Sequence, residues 1–252
     1  AYEWLPENIT DYLAKYSCTY VEWEGWYSRA AYGEEERDFT PVGLVNHHTA
    51  GTNDYDPARL LRKCNFYISP VGVTYLLAAG YQADTGMGDP NVLARVRNDQ
   101  PPTAPQDARP SDRINGNPWY IDIEVGHWGD GSPIPEVQRD ELIRVNAAIC
   151  DMYGWSPKTR LIGHKEWTRR KIDPFWSFNG SVDMMEDIRS DTVDLIESKR
   201  NGMPETQWHQ MIDALFEGSD EFNGDPNYWK FGVPEDSPEW EDFWAAFVRA
   251  IS

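Results

Sequence analysis

The sequence predicts an α/β fold in which a central mixed β-sheet is flanked by helices. Three observations carry that prediction. Short β-prone runs are interspersed with segments of helical period, an early hairpin supplies an antiparallel pair, and 252 residues with 40% hydrophobic content can bury a substantial core.

Residues 1–37 are aromatic and acidic, with Trp4, Trp23 and Trp26 set among polar residues and no clear period, and read as an N-terminal extension. Val42 to His48 is short, apolar and β-prone, and it ends at a pair of histidines. Asp56-Pro57 places an N-cap before a proline at the first helical position, which predicts a short helix over Ala58 to Lys63. Asn65 to Ser69 and Val73 to Ala79 flank Pro70-Val71-Gly72 and read as a hairpin. Residues 89–118 form a stretch rich in Pro, Asp, Arg and Asn, a functional or disordered loop by length.

Tyr120 to Val125 alternates as a strand carrying Asp122 and Glu124. Leu142, Val145, Ile149 and Met152 keep helical spacing within Glu136 to Tyr153. Arg160 to Gly163 is a short apolar approach to His164. A last helix of the main domain is expected from Val182 to Ser198, with Met185, Ile188, Thr192 and Ile196 facing inward. Residues 38–200 form that main domain. Residues 201–252 read as an acidic, aromatic, helical C-terminal extension. They hold eleven Asp or Glu against Lys230 and Arg249, and Trp240, Phe243, Trp244, Phe247, Val248 and Ile251 make an apolar stripe. That stripe reads either as a helix packed on the main domain or as a small partner-binding module.

A net charge of −19 argues against electrostatic binding to nucleic acid or anionic lipid. Cys18, Cys64 and Cys150 are odd in number and lack C-x-x-C spacing, so they read as buried thiols or one adventitious pair. No apolar run reaches the ~20 residues that span a bilayer. Ala1-Tyr2-Glu3-Trp4 shows neither a basic n-region nor an apolar h-region.

The chemistry concentrates in three places: His47-His48, Gly163-His164, and Lys171-Ile172-Asp173-Pro174. Two imidazoles and a carboxylate from separate elements form a plausible His/His/Asp zinc set, and three protein ligands leave a fourth tetrahedral position open for catalysis. The spacing is unlike H-E-x-x-H, where both histidines share one helical turn. Paired histidines also occur as ordinary hydrogen-bonded groups, so on the residues alone both readings stand.

Four ordered segments extend this: V-N-H-H-T-A-G, N-F-Y-I-S-P-V-G-V-T-Y, I-D-I-E and G-H-K-E-W-T-R-R-K-I-D-P. Over roughly residues 38–198 the chain resembles the zinc-dependent N-acetylmuramoyl-L-alanine amidases, a group that includes phage lysins and peptidoglycan-recognition proteins. The resemblance implies a mixed sheet with packed helices and hydrolysis of the amide joining N-acetylmuramic acid to L-alanine. It implies His47, His164 and Asp173 as zinc ligands, with His48 at a position where the family varies. It further implies Glu124 as the carboxylate handling the proton of the attacking water, and Lys171 as the cation facing the scissile carbonyl.

Two departures stand out. Cys64 occupies the place of an active-site tyrosine found in several members, and Asp84, in Q-A-D-T-G-M-G, stands near a site where the family often shows histidine. His127 reads equally as a groove residue or a loop histidine, and Trp119, Trp128 and Trp167 read equally as sugar-stacking or core residues. The function implied is that of a phage endolysin made in a host cytoplasm and acting at the wall, with secretion as the alternative. Peptidoglycan is the expected partner, with neither nucleic acid nor membrane, and the expected state is a monomer. A noncatalytic peptidoglycan-binding module and a zinc amidase of small muropeptide fragments are the competing readings.

Overall fold

The computed structural model describes residues 4–31, 38–51, 56–105, 112–177 and 184–201. The C-terminal extension expected at 201–252, with its apolar stripe, lies outside them apart from the backbone of Asn201.

Six strands form the main sheet: β1 (Tyr20–Glu22), β2 (Gly43–His48), β3 (Phe66–Ile68), β4 (Thr74–Leu76), β7 (Tyr120–Val125) and β8 (Leu161–Gly163). Their order is β1-β4-β3-β7-β2-β8. β3, β7, β2 and β8 run parallel; β4 returns antiparallel to β3 through the hairpin, and β1 extends the edge parallel to β4. The sheet is therefore mixed, as the sequence predicts. β5 (Met87–Gly88) and β6 (Ile114–Asn115) make a separate two-stranded ribbon.

β2, β3, β7 and β8 are buried on both sides, as central parallel strands require, while the edge strand β1 is largely exposed. Leu44, Phe66, Ile68, Leu76, Ile121, Ile123, Val125 and Leu161 join one large core with residues of α1 (Ile9–Lys15), α3 (Glu136–Tyr153) and α6 (Met185–Asn201). The alternate residues Val45, Tyr120 and Ile162 pack in a smaller core with Val92, Leu93 and Val96 of α2 (Pro90–Arg97) and with Trp167. The two-residue side-chain period of the strands thus separates a purely structural face from one that also carries the polar residues of the site.

α3 covers the range its periodicity predicts and stops at Gly154, whose φ of 67° suits a residue without Cβ. α6 buries Met185, Ile188, Thr192 and Ile196, the positions expected to face inward, and residues 182–183 of the expected helix lie outside the described residues. Asn46 of β2 and Asn146 of α3 exchange amide hydrogen bonds at 3.1 and 3.2 Å, fixing the helix against the strand that carries the histidines.

Three local expectations are corrected. The expected helix at 58–63 is only a 3₁₀ turn over Pro57–Arg59, although Asp56 does cap it by accepting from the Ala58 N–H at 3.0 Å. The stretch 89–118 is not one loop, because Asp89 caps α2 by accepting from the Asn91 N–H, with Pro90 in the first turn. The N-terminal residues do contain a helix: Ile9 and Leu13, four apart on α1, are wholly buried, and Leu5, Tyr16 and Trp26 join the same core.

Asp151 of α3 binds Lys15 Nζ of α1 at 2.6 Å and Arg200 of α6 at 2.6 and 2.9 Å, joining three helices at one carboxylate. Burial pushes its pKa up, but the bonds from Lys15 and Arg200 outweigh that and hold it below the usual carboxylate value. A depressed folded-state pKa contributes stability above the unfolded value and loses it as pH falls through the folded one. Asp151→Asn is expected to destabilise by about 1 kcal/mol at neutral pH, a difference in thermal unfolding that should vanish in strong acid.

Candidate active site

The C-terminal ends of β2, β7 and β8 lie side by side, where open parallel sheets place their ligand sites. His47 is paired in register with Glu124, Val45 with Asp122, and Asn46 with Gly163, which immediately precedes His164. Because β2 and β7 run in register, His47, Asp122 and Glu124 project from the same face. The short helix α4 (Pro157–Arg160) leads into β8, and His164 opens the single-turn helix α5 (His164–Trp167). Glu166 anchors that turn by accepting from the Gly163 N–H at 2.8 Å and from Arg189 of α6 at 2.9 and 3.1 Å. The chain then returns Asp173 beside His164, with the Lys165 N–H donating to the Asp173 carbonyl at 2.6 Å.

The result is a tight triangle. His47 Nδ1 and His164 Nδ1 are 2.8 Å apart, and Asp173 Oδ2 is 2.9 Å from the second and 3.2 Å from the first. The outer nitrogens decide what fills it. His164 Nε2 is 3.0 Å from the Thr85 carbonyl oxygen, which can only accept, so Nε2 carries that ring's proton. His47 Nε2 is 3.0 Å from Asp122 Oδ1 and donates to that carboxylate. Both Nδ1 atoms of the neutral rings therefore direct lone pairs inward, toward each other and toward a carboxylate oxygen.

Three electron-rich atoms this close are stable only around a positive charge. The protonation preferences agree. At His47, burial opposes charging, but the Asp84 charge and the bonds to Asp122 and Asp173 prevail and lift its pKa well above the usual histidine value. At His164, burial and the His47 charge prevail over Asp173 and lower it. Burial alone would raise Asp173, yet its bonds to His164 and His47 hold it far below the usual carboxylate range. The set attracts one cation, either a proton on His47 or a metal ion that displaces it. Two imidazole nitrogens and one carboxylate oxygen suit a divalent transition metal.

A second cluster adjoins the first. The ligand-type atoms of His47, Asp84 and Glu124 all lie within 4.8 Å of one another. Glu124 is 8% exposed and its Oε2 has no hydrogen-bond partner, nor has Asp84 Oδ2. Burial first, then the Asp84 charge, pushes the Glu124 carboxyl well above the usual range, with His47 pulling the other way. A metal ion in the neighbouring triangle would draw it back toward the carboxylate.

The remaining candidates separate cleanly. Lys171 is exposed, and its charge is felt at His48 and His164, where it lowers both pKa values behind the larger effect of burial. His48 is outside the triangle; its Nδ1 accepts from the Phe175 N–H at 3.0 Å and so ties the loop bearing Asp173 to β2. His127 accepts from the Gly129 N–H at 3.0 Å and packs its ring on Trp176, a loop-holding role. Cys64 is a fully buried thiol whose pKa is raised by burial and then by Glu124. Trp167 is core, Trp119 lies under the Arg97 guanidinium, and Trp128 is 49% exposed. Sequence reasoning missed the parts played by Asp122 and Thr85. Strand alternation pointed to Asp122, which shares a face with Glu124, but nothing marked Thr85, whose carbonyl meets His164 and whose hydroxyl meets Asp122.

A sequence model of the family described as N-acetylmuramoyl-L-alanine amidase matches residues 37–176, more than half of the chain. The chain belongs to that family. The amidase hydrolyses the amide between N-acetylmuramic acid and L-alanine in peptidoglycan, and its family is typically metal-dependent. Among solved structures it is similar to the endolysin amidase LysCS from Clostridium intestinale URNW, with 17% identity over 68% of this chain and 93% of that one at a TM-score of 0.41. It is also similar to the Ph2119 endolysin from Thermus scotoductus MAT2119 bacteriophage Ph2119, with 20% identity over 68% and 98% of the respective chains at a TM-score of 0.38. No curated protein sequence matches the amidase.

Metal counting on purified variants separates the two adjacent histidines. His164→Ala is expected to lose the metal, whereas His48→Ala is expected to retain one ion per chain with affinity lowered at most about 10-fold. A metal-free His48→Ala protein would make His48 a ligand.

Proposed function

We propose that the amidase is a zinc enzyme whose ion is held by His47, His164 and Asp173, with Glu124 and Lys171 as its catalytic side chains. The observation that supports this best is the triangle of Nδ1, Nδ1 and Oδ2, three ligand-type atoms within 3.2 Å of one another. When bound, zinc supplies an electrophile that acidifies water and polarises a carbonyl oxygen.

The protein's own groups do the rest. Asp122 and the Thr85 carbonyl hold the two imidazoles in the tautomer that offers Nδ1. Glu124, one register position across from His47, takes a proton from the attacking water and returns it to the departing L-alanine amine. Its position among buried groups keeps it basic enough for the first transfer and acidic enough, once protonated, for the second. Lys171 stands on the exposed rim of the site and stabilises the oxyanion that forms as the scissile carbonyl becomes tetrahedral. His48 keeps the Asp173 loop in place while this happens.

The biological setting we propose is that of a phage-type endolysin, working as a monomer at the bacterial wall, with no nucleic-acid or membrane partner. The resemblance of the ordered motifs to lysin amidases supports this setting. Among the described residues no helix is long and apolar enough to cross a membrane. The main domain of residues 38–200 would carry the whole reaction.

Digestion of purified peptidoglycan by chelator-stripped and zinc-restored protein tests the metal. Zinc should restore the release of new L-alanine amino termini without new reducing sugars, and full activity after verified zinc removal would refute the mechanism. Glu124→Gln is expected to lower kcat about 10²–10⁴-fold while zinc stays bound. Lys171→Met should lower kcat about 10²–10³-fold, and a change confined to KM would remove Lys171 from the transition state.

A further inference from the structure

Both imidazoles of the triangle are steered from outside, and the two lines of control meet at one residue. Thr85 is 1% exposed and lies between β4 and β5. Its carbonyl oxygen accepts from His164 Nε2 at 3.0 Å. Its hydroxyl donates to Asp122 Oδ1, the same oxygen that accepts from His47 Nε2 at 3.0 Å. Thr85 thus reaches one histidine directly and the other through a single carboxylate.

The residue is itself fixed from behind. The Gly86 N–H donates to Asn117 Oδ1 at 2.6 Å, and the Gly86 carbonyl accepts from Trp167 Nε1 at 3.1 Å and from the Gly116 N–H at 2.7 Å. The Thr85 methyl presses so closely on Gly116 that a Cβ there would meet it at 2.4 Å. Gly116, lacking a Cβ, leaves room for the Thr85 methyl in the rotamer that turns the hydroxyl to Asp122. Asp122 Oδ1 receives both the Thr85 hydroxyl and His47 Nε2, while its Oδ2 is buried without a partner.

We propose that Thr85 is the positioning residue of the metal centre, holding the ring orientation and tautomer of His47 and His164 together through its hydroxyl and its carbonyl. This rests on the reading of His47, His164 and Asp173 as the ligand set. Because the carbonyl survives any substitution, replacing the side chain isolates the arm that runs through Asp122 to His47. Thr85→Val keeps the shape and removes the donor; Thr85→Ser keeps the donor and removes the methyl.

The test is zinc affinity of the full-length chain, measured by competition with a chromophoric chelator, beside thermal unfolding of the metal-stripped proteins. Thr85→Val is expected to bind zinc about 10–100-fold more weakly than the unaltered chain, and Thr85→Ser to recover most of that loss. If Thr85 acts through Asp122, the losses in Thr85→Val and Asp122→Asn should fail to add in the double variant. Thr85→Ala carries the same comparison against Thr85→Ser should the valine variant not fold. A folded Thr85→Val or Thr85→Ala protein with undiminished zinc affinity would overturn the proposal. Undiminished affinity in His164→Ala would instead overturn the ligand set itself, so the two failures are distinguishable.

Discussion

Everything in this fold answers to one electrostatic demand: two imidazole nitrogens and a carboxylate oxygen are held within hydrogen-bonding distance of one another with their lone pairs turned inward. Left to themselves, such atoms would rotate apart or take up a proton. They stay because a positive charge, a proton or a metal ion, balances them and because each is also restrained from the far side. Asp122 restrains His47, the Thr85 carbonyl restrains His164, and the Lys165 N–H fixes the backbone of Asp173. The cost of concentrating negative potential here is met by the rigidity of a sheet buried on both faces, and by α5 being locked to α6 through Glu166 and Arg189.

The division of labour between the two faces follows from that demand. The face toward α1, α3 and α6 carries the large apolar core and supplies most of the burial, with Asn46, Asn146, Gln138 and Glu141 buried there through hydrogen bonds. The other face spends part of its strand positions on Asp122, Glu124 and His47, and the core beside them is correspondingly small. Not every member of the polar stripe is fully paired. Oxygens of Asp84, Asp122 and Glu124 lie buried without a partner beside His47, and the Tyr120 hydroxyl of β7 is also unpartnered.

Much of this was legible in the sequence, for reasons that can be stated residue by residue. The β2, β3–β4 and β7 segments and the long helices announce themselves because their periods persist over several residues or end at a turn. His47, His164 and Asp173, which lie within 3.2 Å of one another, stood out by residue type as a ligand-like set, and Glu124 and Lys171 were singled out through the resemblance of their motifs. α1 was not, since seven residues present only Ile9 and Leu13 as an apolar pair. α2 was missed although Asp89-Pro90 repeats the capping signal of Asp56-Pro57; the surrounding Pro, Arg and Asn content masked Val92, Leu93 and Val96. Conversely, Asp56-Pro57 started a turn that did not continue, because a cap starts a helix but only burial sustains one. Thr85 was not legible, since its carbonyl leaves no mark on residue identity and a lone threonine outside the quoted motifs gives no sign that its hydroxyl meets Asp122.

The alternation along β2 has a further consequence, for how this strand can change in length. Asn46, His47 and His48 are successive residues with three different duties: bracing a helix, joining the triangle, and anchoring the Asp173 loop. Inserting or deleting one residue ahead of them would turn each to the opposite face, sending His47 toward the large core and an asparagine toward the triangle. Two residues could be added without that inversion. Natural length variation in this strand should therefore come in even steps, with point substitutions tolerated far better than single-codon insertions or deletions.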